Sequence, residues 1–90
     1  MKLPLKTRIL EYAIDKRKPF AIEEITEKLL EEYKGERFCN QKNVEKYISS
    51  FCGVGAMEAV NLDYQGKDLL IEYQITDLGL TYERHIPGHN

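Results

Sequence analysis

The sequence predicts a small α+β domain: three helices, then a two-stranded β-hairpin and a short C-terminal helical segment. Two changes of rhythm and one set of breaks carry this reading. Up to Phe51 the apolar residues recur every three to four positions, the repeat of an amphipathic helix. From Leu69 the pattern switches to alternation, with Leu69, Ile71, Tyr73 and Ile75 set between Leu70, Glu72, Gln74 and Thr76. Pro19, Gly35, Gly53, Gly55 and Gly66 fall at the joins between these segments.

The first helix is expected from about Leu5 to Lys16, with Leu5, Ile9, Leu10, Ala13 and Ile14 on its inner side. Lys16, Arg17 and Lys18 suit the negative end of the helix dipole, and Pro19 stops the helix. Phe20-Ala21 makes a short extended entry to a second helix. Its stripe is Ile22, Ile25, Leu29, Leu30 and Tyr33, with Glu23 and Glu24 in the first turn. Lys34-Gly35 ends it. Asn40 is a good cap for a third helix that turns Val44, Tyr47, Ile48 and Phe51 inward, and Gly53 and Gly55 close it. Met57 to Tyr64 reads as the first hairpin strand, and Gln65-Gly66-Lys67-Asp68 as the turn. Thr76-Asp77 caps the last segment, which carries Leu78, Leu80 and Tyr82. Gly79 within it costs up to about 1 kcal/mol relative to alanine.

Ninety residues make one domain, expected over 1–84, with 85–90 as a flexible tail. The composition, 42% hydrophobic and 31% charged, is that of a folded globular chain. No apolar run approaches the roughly 20 residues that cross a bilayer, and the first residues do not resemble a secretory signal, so a cytoplasmic location is expected. Cys39 and Cys52 match no metal-ligand spacing and are too few for a disulfide scaffold. They read as reduced thiols, although spacing alone leaves a bridge between them open. Cys39 precedes a helix N-terminus, where a thiol pKa can fall and redox sensing becomes conceivable. His85 and His89 have helical metal-ligand spacing, but Pro87 and Gly88 between them prevent a helix there. No Gly-rich phosphate loop and no nucleophile–base set is present, so neither a cofactor nor enzymatic chemistry is expected.

The order of elements resembles the winged-helix fold, a helix-turn-helix variant. Pro19 to Ile25 is similar to the entry of the second helix in that family. Val44 to Val60 resembles the recognition helix and its exit into the first wing strand. Tyr73-Gln-Ile-Thr-Asp-Leu-Gly79 is similar to the Tyr-x-Leu-Thr-x-x-Gly that closes the wing in many winged-helix repressors. The resemblance covers about residues 5 to 84. It implies a small transcriptional regulator that binds double-stranded DNA, with the third helix in the major groove and the wing on phosphate or minor groove.

With Val44 turned inward and about 100° per residue, Lys42 and Lys46 point most directly outward on the third helix. Ser49 lies beside them, Asn43 and Ser50 flank them, and Glu45 occupies the opposite flank. Lysine reaches guanine or phosphate oxygens, and asparagine pairs with an adenine edge. Serine and a helix N-terminus hold phosphate, a role open to Gln41 as well. Lys34, Arg37 and Lys67 are the candidate phosphate contacts outside the helix. The same residues also suit an ordinary solvated helix face.

Charge argues on both sides. Residues 1–46 hold eleven Lys/Arg and nine Asp/Glu, a net of +2, and residues 47–90 hold two against six, a net of −4. The second helix exposes Glu24, Glu27, Glu31 and Glu32, and the hairpin sets Lys67 against Asp63, Asp68 and Glu72. A phosphate backbone repels such a wing. The alternative is therefore a protein-binding module, of the kind a phage or mobile element would carry, that uses the acidic second helix or the wing. Tyr12 and Tyr82 either meet at a homodimer interface formed by the first helix and the terminal segment, or cover the edge of a small core.

Overall fold

In a computed structural model the chain is an α+β domain with the expected order of elements. The structure describes residues 3–87, with Gln65 and Asp68 described by backbone alone. The elements are α1 (Leu5–Lys16), β1 (Phe20–Ala21), α2 (Ile22–Glu32), α3 (Gln41–Gly53), β2 (Met57–Gln65), β3 (Asp68–Ile75) and α4 (Asp77–Leu80). No described helix is long and apolar enough to cross a membrane.

Helix α1 buries the five residues its stripe predicts. It stops at Arg17, which takes a left-handed conformation with φ of 52° and donates its backbone N–H to the Ala13 carbonyl. The break thus comes two residues before Pro19. Helix α2 departs from expectation on one side: Leu30 is exposed and Thr26 is buried. Angles explain the exchange. Ile22, Ile25, Thr26, Leu29 and Tyr33 fall within about 50° of a common direction, and Leu30 lies about 80° from it. Arg8 clasps α1 to α2 with a two-pronged hydrogen bond to Glu32, at 2.8 Å from Nε and 3.0 Å from Nη2.

Helix α3 starts at Asn40, whose Oδ1 accepts from the Asn43 N–H at 2.9 Å. It buries Val44, Ile48 and Phe51 against α1 and α2. Strands β2 and β3 form the hairpin, and β1 pairs with the outer edge of β3 to give the sheet order β1-β3-β2. A register shift between Ala59 and Asn61 bulges β2 at Val60. Ala59 pairs with Tyr73, and Leu62 with Ile71, so the extra residue keeps Met57, Ala59, Leu62 and Tyr64 on one face. That face is the core side, since Met57 and Ile75 are buried in the main cluster.

Thr76 caps α4 by accepting from the Gly79 N–H, while its own hydroxyl donates to the Gly55 carbonyl at 2.6 Å. A single 3-10 turn follows at Glu83–His85. Ile86, expected within a loose tail, is instead 3% exposed and belongs to the core, so ordered chain continues past residue 84. His89 lies outside the described residues.

Candidate nucleic-acid interface

Helix α3 carries its candidate residues on the surface opposite its buried stripe. Lys42, Lys46, Ser49 and Ser50 are exposed. Two other candidates are engaged locally. The Gln41 Nε2 donates to Glu45 Oε1 at 3.1 Å, one helical turn on. Asn43 is half-buried, and its Nδ2 donates to the Phe38 carbonyl at 2.7 Å. This bond ties the start of α3 to the preceding loop and engages the carboxamide N–H.

The loop from Lys34 to Asn40 is a folded connection. Glu36 N–H donates to the Tyr33 carbonyl, Cys39 N–H to the Glu36 carbonyl, and Asn40 Nδ2 to the Arg37 carbonyl. Phe38 meets the Tyr33 ring edge-on at 5.8 Å. Gly35, at φ of 89°, makes the left-handed turn that begins the loop. Lys34 and Arg37 are exposed on it, just ahead of the N-terminus of α3. Lys67 is exposed at the hairpin turn, beside Gly66.

Ion pairing engages four of the cations before them in the chain. Arg8 pairs with Glu11 and Glu32, Lys16 with Glu24, Arg17 with Glu83 and Lys28 with Glu32. Among the described residues, Lys34, Arg37, Lys42 and Lys46 have no acidic partner. Lys6, which lies over the Phe51 ring, and Lys18, just past the end of α1, have none either. Tyr12 donates its hydroxyl to Glu24 and sets its ring edge-on against Phe20 at 5.4 Å. Tyr12 and Tyr82 are both half-buried against the core.

Beside α3 the character of the surface changes. A groove of about 490 Å³ runs between the start of α2, helix α3 and the hairpin. Glu23, Glu45, Asp63 and Glu72 are among the residues lining it, and among the described residues no Lys or Arg lines it. Burial raises the Tyr73 pKa at its inner wall, with further contributions from Cys52 and Glu45. Among the described residues, no three His, Cys, Asp or Glu side chains converge as metal ligands. The residue spacing in the sequence concealed this groove, because it forms only when β1 docks on β3.

The thiols are free and differ from the reactive reading. Cys39 is 5% exposed, and burial raises its pKa, with Glu32 adding to the effect. Its side chain packs into the core, where burial outweighs the nearby helix terminus. Burial also raises the Cys52 pKa. No family model matches the chain, and no curated protein or solved structure matches it.

Proposed function

We propose that the chain is a winged-helix DNA-binding regulator that presents α3 to the major groove. The observation that carries this reading is the group of four exposed cations, Lys34, Arg37, Lys42 and Lys46, that the loop and α3 carry without acidic partners among the described residues. In it, Lys42 and Lys46 reach bases or phosphates from α3, with Ser49 and Ser50 as hydrogen-bonding neighbours. Lys34 and Arg37 bind the flanking backbone from the loop, and Lys67 alone represents the hairpin. Asn43 positions the helix, and Gln41 reaches phosphate only by leaving Glu45.

Fluorescence anisotropy with a labelled random duplex at low salt tests the proposal. Lys42→Ala with Lys46→Ala is expected to weaken binding at least tenfold, with the fold unchanged by circular dichroism. Equal affinity for the double variant and the parent would remove α3 as the reader. A second reading, a protein-binding module acting through the hairpin, is favoured by a separate observation. Leu62 is 66% exposed and Tyr64 73%, with Leu69 and Leu70 also exposed beside them.

A further inference from the structure

We infer that the groove between β3 and the start of α2 receives a short, extended, net-basic polypeptide segment from another protein, which adds to the sheet as a strand. This rests on the protein-binding reading and gives it a site and a partner chemistry. The sheet edge supplies the geometry. β1 pairs with β3 only at Tyr73 and Glu72, through Phe20 and Ala21, and the chain then turns into α2 at Ile22. Among the described residues, the outer edge of β3 from Leu69 to Ile71 therefore has no strand beside it. Strand backbone alternates the direction of its N–H and C=O groups, so an open edge is a template for another extended chain. The groove is lined by this stretch of β3 and by Ala21, Ile22 and Glu23 where β1 gives way to α2, and it reaches Asn61 and Asp63 on β2 and Glu45 and Ser49 on α3.

The walls supply the chemistry. Leu69, Leu70 and Ile71 offer apolar contact on both faces of β3. Glu23, Glu45, Asp63 and Glu72 add four carboxylates, with no lysine or arginine among the described lining residues. An apolar floor with a uniformly acidic rim complements lysine or arginine set among apolar side chains. The carboxylates do not converge as a metal site, and DNA phosphate is repelled from them. A second copy docking groove to groove would place the same carboxylates against each other. Charge thus selects a basic partner over a self-pair.

The test uses the full-length, ¹⁵N-labelled chain and three capped heptapeptides: alternating valine and lysine, alternating valine and glutamate, and the valine–lysine peptide N-methylated at alternate residues to block strand pairing. The valine–lysine peptide is expected to shift amides at 21–23 and 69–72. The N-methylated peptide, and the variant Glu23→Gln with Glu45→Gln, should each bind at least fivefold more weakly. Glu36→Gln with Asp77→Asn, exposed and away from the groove, should leave the affinity unchanged. Equal groove shifts with the glutamate peptide would keep a protein-binding hairpin and overturn its preference for a basic segment. Shifts confined to other surfaces, or no groove shift with any peptide, would overturn both. A chain that proves dimeric through the groove in light scattering would replace the basic partner with a second copy.

Discussion

Gly79 changes meaning between sequence and structure. Inside a short helix, glycine is a cost, because it loses more backbone freedom than alanine on folding. In the fold, a Cβ at this position would lie 2.2 Å from the Ala56 carbonyl oxygen and 2.4 Å from Ile75 Cδ1. The backbone oxygen cannot rotate aside, so α4 approaches β2 only if residue 79 has no side chain. Gly79→Ala is expected to destabilise the chain by about 2–3 kcal/mol through overpacking, despite alanine's better helix propensity. Urea denaturation measures it, and a variant as stable as the parent would show that α4 is not held this close. Cys39 is a similar case: its place before a helix was legible, but its burial in the core, which raises its pKa, was not. Asn43 likewise looked free for base contact, and only the path of the loop shows that Phe38 holds it.

The elements were the most legible part, because each helix carries a stripe that only one face can bury. α1 and α3 match their stripes, and Asn40 and Thr76 cap the helices they precede. What the stripe could not show was the bulge at Val60, since alternation in β2 is too weak to reveal one extra residue, nor the burial of Ile86 after a turn. The contact between α1 and α2 yields a pH prediction. Glu24 accepts from Lys16 and from Tyr12, and these hydrogen bonds, Lys16 first, lower its pKa although partial burial opposes them. A carboxylate whose folded pKa lies below its unfolded one stabilises above the unfolded value, and that contribution is lost as pH falls through the folded value. The contact is largely open to solvent, so Glu24→Gln should cost only about 0.5 kcal/mol near neutral pH. The difference between parent and variant should shrink as pH falls below the ordinary carboxylate range, through the lowered folded pKa. A difference that stays constant across that range would mean that charge is not what Glu24 contributes.

On the scale of the whole molecule, folding redistributes a nearly balanced charge into unlike surfaces. The net of −2 conceals an amino-terminal half at +2 and a carboxyl-terminal half at −4. Ion pairs then engage two of the three cations of α1, while Lys34, Arg37, Lys42 and Lys46 on the loop and α3 stay exposed without acidic partners among the described residues, beside an acidic groove. The division between halves was visible in the sequence. Which cations stay unpaired was not, because Arg8 and Glu32 lie 24 positions apart and meet only when α1 packs on α2. If DNA is bound, its salt dependence should report this surface. Four cations that each displace a condensed counterion give a slope of log K against log salt of about −3.6, at roughly −0.9 per phosphate contact. Lys42→Ala with Lys46→Ala should reduce it by about 2 and affect most duplex sequences alike, unless those lysines also read bases. Titrations across salt concentrations measure the slope directly. A value steeper than about −6 would require phosphates to contact cations elsewhere, with Lys18 and the end of α1 the first place to look. A slope near zero would mean that duplex association is not electrostatic and would leave the hairpin and its groove as the working surface.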